Sequence, residues 1–369
     1  MRITCSKDHL AERLGTAARG TSPRASIQAA AGVRITAEDA ERPAELAATD
    51  LELSFRVPFE CEIESPGSVV LPARLAQEII RVLRADRVVI ESDAADGRVR
   101  IACGGGEYLL HTHPVEDFPR LPEIDHERVF EIDRDVFWAT AELVQRAASR
   151  DESRPVLTGI LIHFEPGLLT MAATDSYRMA VKETPLADAV PEPLEAIVPA
   201  RAITELGRLV GSGNGPLAVL VERNHVAFGV DGVWMTARKI EGQFPNFRQL
   251  RPDAFEHDVA LPREELAEVV RRVGIFARHN APIRMAFTSG EVRITASTPD
   301  LGEAHETIPS AFSGEPIEIG FNGEFLRDGV ETVPGDEVHL HLITPLRPAL
   351  LSAGGEDFWY LIMPIRLSQ

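Results

Sequence analysis

Lysine is nearly absent from this chain. Lys7, Lys182 and Lys239 are the only three among 38 basic residues, the rest being arginine. That bias, beside abundant alanine, points to GC-rich coding and says little about function. Cysteine is as scarce: Cys5, Cys61 and Cys103 are odd in number and lack metal-site spacing. A disulfide framework is therefore excluded, and buried free thiols in a reducing cytoplasm are expected. No apolar run reaches the roughly 18 residues that a membrane-spanning helix needs. The first twenty residues alternate charged and apolar positions, which excludes a secretion signal.

Catalytic signatures are missing too. There is no Gly-x-Ser-x-Gly, no His-Glu-x-x-His and no Cys–His pattern. Gly104-Gly105-Gly106 has no following Lys-Ser/Thr and opens no helix, so it reads as a hairpin turn rather than a phosphate loop. His111-x-His113 and His339-x-His341 lie in period-2 strand patterns without a third ligand nearby in sequence. Neither an enzyme, a cofactor nor a metal site is expected. The net charge of −19 argues against nucleic acid when taken as a sum. Binding depends on the contact surface, however, and an acidic shell with a local basic face is permitted.

What the chain does have is a repeat of about 127 residues. Leu71-Pro72-Ala73-Arg74 with Arg81 recurs as Val198-Pro199-Ala200-Arg201 with Arg208. Ala47-Ala48-Thr49-Asp50 recurs as Ala172-Ala173-Thr174-Asp175, and more weakly as Ala296 to Asp300. Three domains follow, with boundaries at the proline-marked links: 1–124, 125–252 and 253–369. Each holds two helices. The first are predicted over 7–18, 134–148 and 262–276, the second over 72–83, 199–210 and 322–333, with proline suited to the first turn. Asp231-Gly232 between two alternating runs predicts a hairpin. The fold class is α+β, with helices against antiparallel sheets.

Arg74, Gln77, Arg81 and Arg84 share one helix face, and Arg201 and Arg208 repeat the seven-residue step. A solvated charged face is the plain reading. Recurrence at one helical phase offers another, basic helices following a phosphate backbone without reading bases. The third repeat places Glu324 and Glu331 where those arginines should stand.

Four segments together carry a resemblance: Arg154 to Gly159, Thr174 to Ala180, Phe244 to Arg248, and Met363 to Leu367. In that order and at those positions the chain resembles the bacterial DNA polymerase III beta subunit, the sliding clamp. The resemblance implies a non-catalytic processivity factor, a homodimeric ring of six domains around duplex DNA. Arg74, Arg81, Arg201 and Arg208 would face the DNA, with Arg24, Arg150 and Arg154 on nearby loops. It also implies a cleft for short linear peptides of the polymerase III alpha subunit, the clamp loader and other partners. Carried over, that cleft comprises Leu157, Thr174, Ser176, Tyr177, Arg178, Met179, Pro245, Leu250, Pro348, Leu361, Met363, Ile365 and Arg366, in which an arginine would fix polar groups of the peptide. Thr174-Asp175 has the alternative of a simple turn, since repeat one shares it. The dimer contact would pair Tyr108 and Leu110 with Ile275 and Phe276. Departures from the pattern include Gln28 to Ala31, the two glutamates, and the extra Ser368 and Gln369. They leave open a diverged copy conferring resistance to a clamp-targeting antibiotic. A repeat scaffold that never meets DNA is the third alternative.

Overall fold

The computed structural model of the chain describes residues 1–22, 27–38, 43–93, 97–187, 190, 192–278 and 281–367. Six α-helices occupy the predicted places: α1 (Lys7–Ala17), α2 (Ala73–Val82), α3 (Arg134–Val144), α4 (Ala200–Val210), α5 (Arg263–Val273) and α6 (Gly323–Thr332). The first helix of each repeat runs on into one 3-10 turn: Ala18–Gly20, Gln145–Ala147 and Gly274–Phe276. Pro72 and Pro262 sit one step earlier than expected. Each ends a strand and stands at the N-cap, with φ of −61° and −59°, outside the first turn. The fixed proline φ thus serves the strand-to-helix corner.

The chain folds as two compact units, Met1–Asp135 with Arg201–Lys239, and Val136–Ala200 with Ile240–Gln369. In the first unit a five-stranded sheet is ordered Glu62–Ser65, Arg2–Ser6, Arg87–Asp93, Arg98–Cys103, Gly106–His111. Its eight-stranded sheet is ordered Phe130–Ile132, Leu217–Val221, His225–Val230, Val233–Arg238, Leu53–Phe59, Ala44–Thr49, Gly32–Ala37, Gly67–Pro72. The second unit has a matching eight-stranded sheet: His257–Pro262, Glu337–Leu342, Ala349–Ser352, Phe358–Ile362, Arg178–Pro185, Leu168–Thr174, Gly159–Glu165, Leu194–Pro199. A four-stranded sheet completes it, ordered Gly302–Pro309, Glu291–Thr298, Ile283–Thr288, Ile317–Phe321. All the strand pairs are antiparallel.

Each eight-stranded sheet joins four strands of one sequence repeat to four of the next. The joining pairs are equivalent: Ser54 opposes Thr236 in one sheet, and Met179 opposes Leu361 in the other. The helices close these sheets through their apolar stripes. α1 buries Leu10, Leu14 and Ala17 on α2 and on the strands Ala44–Thr49 and Leu53–Phe59. α5 buries Leu266, Val269, Val270 and Val273 against α6 and the strands of the four-stranded sheet. The Asp231-Gly232 hairpin forms as read. Both residues have positive φ, 49° and 80°, the pairing a two-residue turn needs to follow the strand twist.

Candidate functional site

The second unit carries an apolar sheet face. Antiparallel pairing sets Met179 opposite Leu361 and Leu361 opposite Leu350. The next row on that face runs Leu161, Ala172, Val181, Trp359. Because side chains alternate along a strand, these residues all point one way. Phe244 and Phe247, from the segment leaving the second repeat, pack onto them, with Val156, Ile240 and Phe255 at the margin.

Three of the predicted cleft side chains remain exposed: Tyr177 (60%), Leu250 (49%) and Met363 (42%). Tyr177 and Met363 are tied through the backbone, the Met363 N–H donating to the Tyr177 carbonyl at 2.8 Å. Of the predicted cleft residues, Met179 and Leu361 form the floor, and Thr174 and Arg178 are also buried. Pro245 and Pro348 are half-buried, Leu157 lies in the 3-10 turn Pro155–Thr158, and Ser176 and Arg366 are exposed. Ile365 faces a different task. Its N–H donates to Gly320 at 2.7 Å, so the C-terminal tail is stitched to the four-stranded sheet. A Cβ at Gly320 would lie 2.6 Å from the end of the Leu367 side chain and 3.0 Å from the Ile365 carbonyl oxygen, so glycine eases that approach.

Arg178 corrects the expectation of a peptide-fixing arginine. Its side chain is 6% exposed and fully engaged. Nε donates to Asp175 at 3.0 Å, and one terminal nitrogen reaches Asp328 at 2.6 Å and the Tyr360 hydroxyl at 3.3 Å. The guanidinium also lies 4.4 Å from the centre of the Phe325 ring. Burial pushes the Tyr360 phenol well above its ordinary range. Tyr360 donates in turn to the Phe325 carbonyl at 2.9 Å, and Tyr177 stacks on Phe325 at 6.5 Å. Arg178 therefore positions the Tyr177 side of the site. Asp328, Phe325 and Tyr360 were missed in the sequence because α6 lacks the repeat's arginines and gives no motif. Phe244 and Phe247 were visible within a quoted motif but were not assigned to the site.

Thr174-Asp175 is a turn in both repeats. Thr174 Oγ1 donates to the Arg178 carbonyl at 2.6 Å, and Asp175 Oδ1 accepts from Tyr177 and Arg178 N–H. Thr49 and Asp50 make the same bonds around Leu53. Ser176 and Leu51, at the same turn position, both have positive φ, 82° and 79°.

Arg74, Arg81, Arg150, Arg154, Arg201 and Arg208 are all exposed. Arg24 lies outside the described residues, as do Ser368 and Gln369. Several of the arginines hold local carboxylates: Arg74 with Glu78 at 3.0 Å, Arg208 with Glu205 at 2.8 Å, and Arg201 with Asp50. Arg154 bonds Asp151 and, at 3.0 Å, Ser176 of the cleft list. Glu331 on α6 is taken by Arg146 at 2.8 Å. Exposed pairs of this kind contribute little to stability, so these arginines remain free to exchange partners.

Two sheet edges carry the dimer candidates. The strand Gly106–His111 ends the five-stranded sheet, and Gly302–Pro309 ends the four-stranded one. Tyr108 is 36% exposed and Ile275 59%, with Phe276 half-buried beside Gly302. Leu110 corrects its assignment: it is 3% exposed and belongs to the subunit's own core, while Leu109 is 60% exposed. The alternation of the strand sends the two leucines to opposite faces.

The His-x-His pairs have other partners. His339 Nδ1 lies 3.0 Å from Asp258, and His341 Nε2 lies 2.9 Å from Ser352 Oγ. His113 bridges to Val70 through its backbone, and His111 is exposed on the edge strand. No helix among the described residues is long and apolar enough to cross a membrane.

Comparison with known proteins accounts for the whole chain. The N-terminal, central and C-terminal domains of the DNA polymerase III beta subunit family match residues 1–122, 131–246 and 248–366. The beta sliding clamp of Streptomyces coelicolor is 33% identical over 380 aligned positions, covering 100% of both chains. The beta sliding clamp homolog GriR of Streptomyces muensis is 28% identical, covering 99% of each. The solved DNA polymerase sliding clamp of Bacillus subtilis superposes with a TM-score of 0.93 at 25% identity, again over 100% of both chains.

Proposed function

This chain belongs to the DNA polymerase III beta subunit family, the bacterial sliding clamps, and from that premise we propose how its parts perform the work of a DNA polymerase processivity factor. It encircles duplex DNA as a head-to-tail homodimer in the cytoplasm. It holds DNA by enclosure rather than by affinity, and it catalyses nothing. Arg74, Arg81, Arg201 and Arg208, with Arg24, Arg150 and Arg154 on loops, make exchangeable, sequence-independent phosphate contacts. Weak contacts suit sliding, because each is replaced at the next phosphate for little cost.

The observation that carries this reading is the pair of eight-stranded sheets with one strand order, each built across a junction between repeats. A chain assembled that way extends by repetition. Its terminal edges, Gly106–His111 and Gly302–Pro309, remain available for a heterologous contact that closes in a two-fold ring. Tyr108, Leu109, Ile275 and Phe276 supply the apolar part of that contact. The second unit's apolar face, together with the exposed Tyr177, Leu250 and Met363, receives a short linear peptide from the polymerase, the loader or another partner. A concave apolar floor with a few polar groups at its margin is the usual form of such a site.

The test is topological. Protein loaded on nicked circular DNA should survive a salt wash and leave when the circle is cut, because escape then needs an end rather than lost phosphate contacts. Equal loss from circular and linear DNA would sink the reading.

A further inference from the structure

All three cysteines are free thiols, and the proposed function uses none of them. Two of them meet across a strand pair. The strand Arg2–Ser6 runs antiparallel to Glu62–Ser65, with Ile3 opposite Ile63 and Thr4 opposite Glu62. One step further in the same register sets Cys5 opposite Cys61. Directly opposed residues of an antiparallel pair have Cα atoms about 4.5–5.5 Å apart, inside the span of about 4.4–6.8 Å that a disulfide bridges. Alternation turns both side chains to the face of Ile3 and Ile63. Cys103 lies two strands from Cys5, on Arg98–Cys103. Two strand spacings are about 9–10 Å, beyond the reach of a disulfide.

Contacts on both sides hold this register. Thr4 Oγ1 donates to Glu64 at 3.2 Å on one side of the pair, and Glu60 N–H donates to His9 Nε2 at 3.2 Å on the other. Arg87 takes Glu62 at 2.6 Å. The two cysteines line one cavity of about 610 Å³, with His9, Asp86 and Arg87 among its walls. Cys5 is buried and Cys61 half-buried, so a small molecule in the cavity reaches Cys61 first. Burial pushes the Cys5 thiol up to about 12, the nearness of Cys61 adds to the push, and Arg87 opposes it. Burial raises the Cys61 thiol as well. At neutral pH both are protonated and slow to react, and what distinguishes them is their pairing.

We propose that Cys5 and Cys61 are a dithiol modification site, which closes to a disulfide by exchange with a low-molecular-weight disulfide. The Cys61 thiolate attacks one sulfur of the reagent. The reagent S–S bond breaks, one reagent thiolate leaves and takes up the proton that Cys61 gave, and Cys61 carries a mixed disulfide. The Cys5 thiolate then attacks the Cys61 sulfur. The mixed S–S bond breaks, and the second reagent thiolate leaves and takes up the proton of Cys5. The protein loses two hydrogens with their electrons, and the reagent disulfide is reduced to two thiols. The second step is intramolecular between opposed residues, so the mixed disulfide does not accumulate. In a reducing pool the reverse exchange keeps the pair open. Closure ties the strand that leads into α1 to the segment that follows Leu53–Phe59.

The probe is glutathione disulfide, applied overnight to the full-length protein at about pH 8.5, where more thiolate forms. The reaction is stopped in acid, the remaining thiols are capped with N-ethylmaleimide during unfolding, and the protein is weighed intact and as peptides. Of the three thiols only Cys103 should remain to be capped. The peptides of Cys5 and Cys61 should be joined, with no glutathione on either. Dithiothreitol should return all three thiols. Cys5→Ser should stop at a glutathione adduct on Cys61, and Cys61→Ser should leave Cys5 free to be capped. A wild-type protein that accumulates the Cys61 adduct without the cross-link would overturn the proposal. So would a bond that includes Cys103, or three capped thiols after the treatment. The wild-type masses decide the matter alone if a serine variant fails to fold.

Discussion

The guanidinium of Arg178 and the carboxylate of Asp328 stand 2.6 Å apart, joining residues 150 positions distant in sequence with 6% and 13% of their side chains exposed. The pair fastens the start of the strand Arg178–Pro185 to α6. A second acidic residue of α6 is also paired. Asp328 holds Arg178, and Glu331 holds Arg146. Asp328 and Glu331 thus have partners within the second unit, while Glu324 is exposed on α6.

Removing Arg178 should therefore be costly. Arg178→Ala leaves Asp175 buried without its cation and Asp328 with only Arg146 at 3.7 Å, and breaking a buried pair costs about 3–5 kcal/mol. Arg178→Lys should recover only part of that, because one ammonium cannot serve both carboxylates and stack on Phe325. Urea unfolding measures both. A loss under about 1 kcal/mol for the alanine variant would show that the network is solvated.

Leu109 and Leu110 separate interface from core. Leu110→Ala should destabilise the subunit by about 2–5 kcal/mol, as for other buried leucines. Leu109→Ser should leave the urea midpoint in place and weaken the dimer, as should Ile275→Ala with Phe276→Ala. Sedimentation velocity across a dilution series reads the dimer directly. An unchanged dimer in the Ile275/Phe276 variant would remove that edge from the contact.

The helices, the hairpins and the antiparallel α+β class were legible from local signals alone. Apolar spacing placed α1 to α6 within a residue or two at most ends, because those stripes are the surfaces the helices bury. The two eight-stranded sheets were not legible, since strand pairing across a repeat junction leaves no periodicity. The cleft list was legible only through resemblance, and resemblance did not separate floor from rim. Met179 and Arg178 are adjacent in sequence, yet one packs under the apolar face and the other is locked to α6. Leu110 failed for a related reason: a leucine on an edge strand reads the same whichever face it takes.

His341 should give the second unit an acid limb. Burial is the main influence and lowers its pKa below the ordinary 6.5, with Asp258 opposing and His339 and Arg251 adding. A histidine held neutral in the fold takes up its proton more readily once unfolded. Its contribution is thus complete above about pH 6.5 and is lost as pH falls toward the folded value. The urea midpoint should drop between about pH 7.5 and about pH 5.5, and drop less in His341→Gln. An identical decline in both proteins would assign the acid limb to other groups.

The peptide cleft is best tested on its exposed rim. Met179→Glu would place a charge in a floor that is 3% exposed, so lost binding could reflect lost folding. Deleting the tail from Met363 onward would also remove the Ile365–Gly320 bridge. Tyr177, Leu250 and Met363 are free of both objections, being 60%, 49% and 42% exposed. Exposed side chains of this kind usually change stability by less than about 0.5 kcal/mol when replaced. If they grip a partner, a few should dominate the binding energy, each costing about 1–2 kcal/mol or more when cut to alanine. Tyr177→Ala and Met363→Ala should therefore weaken a polymerase-derived peptide roughly tenfold or more apiece, at unchanged urea midpoint. Their backbone bond makes them neighbours, so the double variant should lose less than the sum of the two. Titration calorimetry giving unaltered affinity for both single variants would place the peptide on another surface.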